Sequence, residues 1–204
     1  YTNPSNQVVR ERAFSKDPAV VSDMVEAEMK GLMENDIMVS LKHFPGHGHT
    51  TGDTHDNFVV TNKTLAQLRE TELLPFARGI EKGAEMIMLA HISLPKIIGD
   101  NTPASLSKII IEYLLRKEMG FEGLVITDAL NMGAVSKNYR SDQAAVAAFL
   151  AGVDILMMPE DFHLAYQGVL EGLMNGSLKE EDLEKKLKRI LTIKIERSMK
   201  KESP

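Results

Sequence analysis

The 204-residue chain contains 43% hydrophobic and 26% charged residues, the balance of an ordinary globular domain large enough to bury a core. Its net charge of −5 disfavours a nucleic-acid partner, because no basic stripe is present to neutralise phosphates. The chain lacks cysteine, which excludes disulfides and cysteine-ligated zinc, and no apolar run approaches the roughly 18–20 residues of a membrane span.

Four short apolar segments predict the strands of a buried sheet. They cover residues 37–41, 86–90, 124–127 and 153–158. Each is too short for a typical helix, and a continuously apolar composition is typical of parallel strands covered on both faces.

Helix signals fill the intervals between these segments. Asp17 and Pro18 form an N-cap followed by proline at the first helical position, and Thr64 with Gln67 forms a capping box. Further helices are expected from Ser105 or Ser107 to Gly120, from Ser141 to Gly152, from beyond Pro159 to near Gly176, and over a last segment carrying Leu183, Leu187, Ile190, Leu191 and Ile195. Strand and helix therefore alternate four times, which is typical of parallel β/α architecture.

Polar residues at the ends of the predicted strands favour a barrel over an open sheet. They are Lys42-His43, His91, Asp128 and Pro159-Glu160. A (β/α)8 barrel builds its active site from several strand ends, whereas an open sheet concentrates its ligand at one switch point, often beside a glycine-rich phosphate loop that this chain lacks. Because four strands are half of a barrel, we predict that residues 1–204 are the C-terminal half of one TIM-barrel domain, whose N-terminal half precedes Tyr1.

The segment KHFPGHGHTTGDTH, residues 42–55, holds four of the six histidines. Histidine is the commonest metal ligand, but this His-x-His pair follows a later strand in a glycine-rich loop, and no HExxH motif is present. We therefore predict no metal and no other cofactor. For single histidines, capping of a polar loop is the simpler interpretation, and it applies to His49 and His163.

A carboxylate–histidine pair in the same segment predicts acid/base chemistry. Asp53 and His55 are two residues apart, so their side chains leave an extended loop on the same side. A carboxylate bound to one ring nitrogen fixes the tautomer and makes the other nitrogen a better base. Asp128, at the end of its strand, is either a helix N-cap or a fixed carboxylate at the barrel mouth. An aspartate nucleophile with a protonated histidine predicts a glycosidase.

Several motifs follow one another in a familiar order. They are NP-x-N and RERAFS-x-DP near the start, KHFPGHG-x4-D-T-H at 42–55, MIMLAH at 86–91, GFEGLVITDALNMGAV at 120–135 and AGVDILMMP at 151–159. This series resembles the β-N-acetylglucosaminidase branch of glycoside hydrolase family 3 over nearly the whole chain. The family's barrel has eight strands, and the resemblance implies that these motifs fall on strands five to eight.

The resemblance implies a role for each matching position. Asp128 would be the nucleophile that forms a covalent glycosyl ester, and His55, paired with Asp53, would be the acid/base. The implied substrate-binding residues are Arg12, Lys42, His43 and His91. The implied function is a bacterial, retaining exo-β-N-acetylglucosaminidase that acts on peptidoglycan fragments, in the cytoplasm, the periplasm or outside the cell. Its partner would be the carbohydrate substrate, and activity is expected to need the N-terminal half-barrel.

Three alternatives stay open. Within the family, a β-glucosidase or a glycoside phosphorylase is possible, because a histidine acid/base tolerates an anionic phosphate acceptor better than a carboxylate does. From another class, a metal-dependent amidohydrolase would use Lys42, His91 and Asp128 as ligands. The third is a catalytically inactive half-barrel that serves as a binding module.

Overall fold

The computed structural model describes residues 3, 5, 6, 9, 12–50 and 59–202, with backbone alone for the last three. Within this part of the chain, helices separate the three longer strands, as the sequence predicts. The strands are β1 (Ser40–Phe44), β2 (Val59–Val60), β3 (Met86–Leu89), β4 (Ile92–Ser93) and β5 (Leu124–Thr127). The helices are α1 (Pro18–Met33), α2 (Leu65–Glu70), α3 (Leu73–Glu81), α4 (Pro95–Ile98), a 3-10 turn (Ala104–Leu106), a π-helix (Ile109–Glu118), α5 (Gly133–Ser136), α6 (Ser141–Ala151), α7 (Phe162–Met174) and α8 (Glu180–Glu202).

The helix caps predicted from the sequence are confirmed. The Asp17 side chain accepts a hydrogen bond from the backbone of Ala19, and Thr64 with Gln67 forms a reciprocal capping box. Gly152 ends α6 in the left-handed conformation, with φ of 106°, which a residue with a Cβ adopts only at a cost. Among the described residues, the helices are all too short or too polar to cross a bilayer.

A parallel sheet of β1, β3 and β5 organises the chain, in that spatial order. Ile155 forms one parallel β-bridge to Ile126 and therefore lies next to β5. The paired segments thus lie side by side in the order in which they occur in the chain. One face of the sheet is buried, with Leu41, Ile87 and Val125 in one row of the core.

The opposite face of the sheet is only partly covered in the described part of the chain. Met86, Met88 and Ile126 are each half-buried, although their neighbours along the strands are buried. Parallel sheets normally bury both faces, so this face is more open than is usual for a parallel sheet.

Two of the predicted strand boundaries are wrong. The first strand is Ser40–Phe44 rather than 37–41, so Lys42 and His43 lie inside it and not after it. Backbone pairing with β3 sets the bounds of the first strand, because the N–H of Met86 donates to the Val39 carbonyl and that of Ala90 to the Phe44 carbonyl. These bonds do not depend on the polarity of the side chains between them.

The predicted fourth strand, 153–158, pairs at Ile155 alone and does not form a regular strand. The reason lies in a side chain of β5. The Thr127 hydroxyl accepts the backbone N–H of Met157 at 3.0 Å, which takes that donor out of the strand ladder. Met158 then turns into the left-handed region, with φ of 46°.

A buried charge network closes the amino end of the sheet. The Asp154 side chain is fully buried and accepts from Arg116 at 2.8 Å, from Arg189 at 2.7 Å and from the Val125 backbone at 2.9 Å. Arg116 also donates to the carbonyls of Phe121 and Gly123, just before β5. Each group in this network has partners, and the network ties β5 to the π-helix and to α8.

Candidate active site

A β-bulge in β1 places the first two candidate residues. Leu41 pairs with Ile87 and Phe44 pairs with Leu89, so Lys42 and His43 together lie opposite the single residue Met88. The peptide bond between them is cis, as is the bond before Pro45. Bulges turn side chains away from the regular alternation and are common beside active sites.

The bulge brings His43 to the carboxylate at the end of β5. His43 Nε2 lies 3.6 Å from Asp128 Oδ2, just beyond hydrogen-bond distance, and the two side chains are only 13% and 17% exposed. The structure therefore joins two predicted site residues that are far apart in sequence.

His43 is electrically neutral near pH 7. Burial lowers its pKa to about 4; Asp128 opposes this shift, whereas Lys42, His47 and Arg12 add to it. A neutral imidazole at this position can donate one hydrogen bond to a carboxylate or a hydroxyl without carrying a full charge into the site.

The backbone fixes the Asp128 carboxylate. Its amide N–H donates to the Leu89 carbonyl at 3.0 Å, which anchors it to the end of β3. Its Oδ1 accepts the N–H of Ala129 at 2.9 Å, while Oδ2 faces His43. One oxygen is thus held and the other faces His43, which suits a carboxylate that attacks a carbon centre.

His91 lies directly behind this carboxylate. It is fully buried, its Nδ1 lies 2.7 Å from Ser105 Oγ, and its Nε2 lies 2.9 Å from the Ala129 carbonyl. Burial lowers the pKa of His91, although the bond to Ala129 and the charge of Asp128 oppose the shift. Its predicted contact with substrate stays a prediction, because both ring nitrogens contact protein groups in this structure.

A cavity of about 210 Å3 collects the remaining predicted substrate residues. Arg12, Lys42 and His43 all line it. Its apolar lining residues include Phe14, Val21, Val25, Leu41 and Phe76. Asp128 does not line this cavity. His43 lines the cavity and also faces the Asp128 carboxylate. A pyranose ring has apolar faces and a polar edge, so a cavity of this composition suits a sugar.

The turn after β1 is held from two sides. Gly46 has φ of 131°, and a Cβ there would lie 2.6 Å from the Glu72 side chain, so only glycine fits. Glu72 pairs with Lys63 at 2.5 Å. On the other side, buried Asn6 donates to the carbonyl of His47 at 2.7 Å. The histidine-rich segment therefore begins on a rigid support.

The predicted acid/base pair, Asp53 and His55, lies outside the described residues. His47 is buried and its Nδ1 lies 2.8 Å from Thr50 Oγ1, whereas His49 is exposed. Sequence reasoning missed the partners Ser105 and Thr50. The sequence marks Ser105 only as a candidate helix start, and its neighbours in sequence do not mark it as a hydrogen-bond partner of His91.

Metal ligands do not cluster in the described ranges. No group of three or more histidine, aspartate or glutamate residues there has a geometry that could hold an ion. Lys42 is not of these residue types, so the ligand set Lys42, His91 and Asp128 of the amidohydrolase alternative stays a prediction.

Comparison with known proteins gives one consistent family. Residues 2–193 match the family described as "Glycosyl hydrolase family 3 N terminal domain". The curated β-hexosaminidase A of Pseudoalteromonas piscicida is 33% identical over 95% of this chain. The chain spans 36% to 45% of the length of such curated relatives.

Solved structures agree with this family match. A glycoside hydrolase family 3 β-N-acetylglucosaminidase from Paenibacillus sp. str. FPU-7 superimposes with a TM-score of 0.93 at 34% identity, over 97% of this chain and 38% of that one. A β-glucoside phosphorylase, BglX, superimposes with a TM-score of 0.93 at 28% identity, over 100% of this chain and 38% of its own.

Proposed function

The chain belongs to glycoside hydrolase family 3, and on that premise we propose that it carries the nucleophile side of a retaining exo-β-N-acetylglucosaminidase. The observation that carries the proposal is the fixed carboxylate of Asp128, with Oδ1 bonded to the Ala129 N–H and Oδ2 directed at His43. The curated relatives named as β-hexosaminidases support the reaction class. Peptidoglycan fragments are the proposed substrate source, in keeping with the bacterial relatives.

In the proposed first step, Asp128 Oδ2 attacks the anomeric carbon as the bond to the aglycone oxygen breaks. The electrons of that bond leave with the aglycone, which takes a proton from the His55 imidazolium. The product on the protein is a glycosyl ester of Asp128. In the second step, neutral His55 takes a proton from water, the water oxygen attacks the anomeric carbon, and the ester bond breaks to restore the carboxylate.

His43 and Lys42 suit the ring-binding role proposed for them. His43 is neutral and can donate from Nε2, and Lys42 supplies a charged donor from the same bulge. Arg12 lines the same cavity from a separate segment. Donors from two segments can hold the sugar so that its anomeric carbon lies near Asp128.

The proposed acid/base, His55 oriented by Asp53, rests on the sequence pattern alone. In the full-length protein, His55→Ala should slow substrates with poor leaving groups much more than a nitrophenyl glycoside, because nitrophenolate leaves without protonation. An equal loss for both kinds of substrate would assign His55 a structural role. Asp53→Ala should give a milder version of the same pattern.

We further propose that the sheet is one half of an eight-stranded barrel. The sequential order β1, β3, β5 and Ile155 supports this, as does the half-buried face that carries Met86, Met88 and Ile126. The other half would cover that face and close the far side of the substrate site. On this proposal, residues 1–204 expressed alone hydrolyse no aryl N-acetylglucosaminide, whereas the longer protein does.

A phosphorylase is the second candidate, favoured by the fold match to the β-glucoside phosphorylase BglX. The deciding experiment follows full-length protein with 4-nitrophenyl β-N-acetylglucosaminide, with and without inorganic phosphate and a chelator. Hydrolysis that is unaffected by either supports the proposed function. Formation of N-acetylglucosamine 1-phosphate selects the phosphorylase, and release of acetate that is lost to the chelator and restored by zinc selects the amidohydrolase class. No turnover of this glycoside or its glucoside would support a binding module.

A further inference from the structure

His91 makes contacts that suit a support for the nucleophile better than a substrate ligand. Its ring is fully buried, and its nitrogens contact Ser105 Oγ at 2.7 Å and the Ala129 carbonyl at 2.9 Å. A carbonyl oxygen only accepts, so Nε2 must carry a proton and donate to Ala129. In a neutral ring, Nδ1 then accepts the hydroxyl proton of Ser105.

His91 holds the peptide unit that follows Ala129, one residue beyond the nucleophile. Ala129 follows Asp128 directly, and its N–H donates to Asp128 Oδ1 at 2.9 Å. A bond to the carbonyl of the same residue restrains the turn in which that N–H lies. The restraint fixes Asp128 from its C-terminal side, while the bond from its own N–H to Leu89 fixes it from the strand.

Ser105 is itself held by the backbone next to His91. The N–H of Ser105 donates to the Ala90 carbonyl at 3.2 Å, and its side chain is fully buried in the 3-10 turn Ala104–Leu106. The acceptor nitrogen of His91 therefore meets a hydroxyl whose position is set in advance. Burial also disfavours the charged ring, so the single tautomer with a proton on Nε2 persists.

We propose that His91, with its tautomer set by Ser105, is a positioning residue that acts on Asp128 through the Ala129 carbonyl. This inference rests on the proposed function for the identity of the nucleophile. It assigns no substrate contact to His91. A misplaced attacking oxygen lowers the rate of the chemical step and leaves binding of the sugar largely intact.

Ser93 offers a matched control for Ser105. It is also fully buried, and its hydroxyl donates to the Asn101 carbonyl at 2.7 Å. Ser93→Ala and Ser105→Ala each remove one buried hydroxyl hydrogen bond, so we expect both to lower the unfolding midpoint by similar amounts. Only Ser105→Ala removes the partner of His91.

In the full-length protein, Ser105→Ala should lower kcat roughly 10- to 100-fold with KM nearly unchanged, and Ser93→Ala should leave kcat unchanged. His91→Gln can still donate near the Nε2 position and should retain more activity than His91→Leu. The proposal would be overturned if Ser105→Ala and Ser93→Ala lost kcat equally, or if His91→Gln and His91→Leu lost activity equally. It would also be overturned if Ser105→Ala raised KM and left kcat intact.

A measurement independent of turnover separates this inference from the proposed function. Nitrogen-15 NMR of labelled histidine should find His91 in the neutral form protonated on Nε2, with that tautomer preserved in Ser93→Ala and weakened in Ser105→Ala. A ring protonated on Nδ1 would overturn the inference even if the glycosidase is active. A wild-type protein that turns over no N-acetylglucosaminide defeats the proposed function, whatever the NMR result.

Discussion

The two ends of the central sheet hold charged groups in opposite ways. At the amino end, the fully buried Asp154 has two arginines and a backbone N–H as close partners. At the carboxyl end, Asp128 faces a neutral His43 across 3.6 Å, and both remain partly open to solvent. A satisfied network stabilises the fold, whereas an incompletely satisfied one leaves bonding capacity for a substrate. The difference marks the carboxyl end of the sheet as the candidate site without reference to any motif.

The largest expected effect is on activity at the carboxyl end. Asp128→Asn keeps an oxygen to accept the Ala129 N–H but removes the charged nucleophile, so kcat of the full-length protein should fall roughly 10⁴-fold or more. The free energy of unfolding should change by less than about 1 kcal/mol, because the side chain is not part of a closed network. Steady-state kinetics and urea unfolding measure the two quantities. A stable variant with substantial turnover would contradict the assignment.

The next effect is on stability at the amino end. Asp154→Ala leaves Arg116 and Arg189 without their buried counter-charge, which should lower the free energy of unfolding by about 3–5 kcal/mol. Activity per folded molecule should stay close to wild type. Asp154→Asn, which keeps an acceptor for the Val125 N–H, serves as the matched variant. Its free energy of unfolding should lie between those of wild type and Asp154→Ala. A normal unfolding midpoint in Asp154→Ala would show that the network is dispensable.

A smaller effect is expected from pH at the carboxyl end. The pKa of His43 falls from 6.5 to about 4 on folding, so between these pH values the unfolded chain binds more protons than the folded chain. The free energy of unfolding should therefore decrease as pH falls from about 6.5 to about 4, with up to about 3 kcal/mol from His43.

The matched variant for this pH effect is His43→Gln. Unfolding midpoints of wild type and variant, measured across that pH range, should converge as pH falls. Buried His91, whose pKa is also lowered, should still destabilise the variant at low pH. Parallel curves for the two proteins would mean that His43 is protonated at no cost in the folded state.

The smallest effect is expected at an exposed ion pair that belongs to neither end. Arg69 contacts Glu118 through two hydrogen bonds of 2.7 and 2.8 Å, but the side chains are 52% and 39% exposed. Solvent screens such pairs, so Arg69→Ala should leave the unfolding midpoint unchanged within error. A loss comparable to that of Asp154→Ala would mean that burial does not explain the contrast between the two ends.

Much of the helical layer was predictable because its signals are local. Asp17-Pro18, the Thr64–Gln67 box and Gly152 act within one turn of their helices, and each was confirmed. The strand that ends at Thr127 was predicted with its boundaries. Errors arose where pairing between distant segments decides, as in β1, and where a side chain such as Thr127 interrupts a ladder.

The candidate site was predictable only in part. The sequence motif identified Asp128 and His43, but their approach depends on the bulge that sets Lys42 and His43 opposite one residue of β3. Ser105 carries no signal, since its bond to His91 joins positions fourteen residues apart through tertiary packing. The buried network of Asp154 likewise joins three segments that are distant in sequence. Asp154 itself lies within a segment that the sequence predicts as an apolar strand.

Trapping the covalent intermediate is a direct test of whether Asp128 is the nucleophile. The full-length protein is treated with 5-fluoro-β-N-acetylglucosaminyl fluoride, which slows hydrolysis of the ester, and is then digested and mapped by mass spectrometry. We expect one added sugar on the peptide that contains Asp128 and no added sugar on that peptide in Asp128→Asn. A label on another carboxylate, or turnover that never passes through a labelled protein, would contradict it.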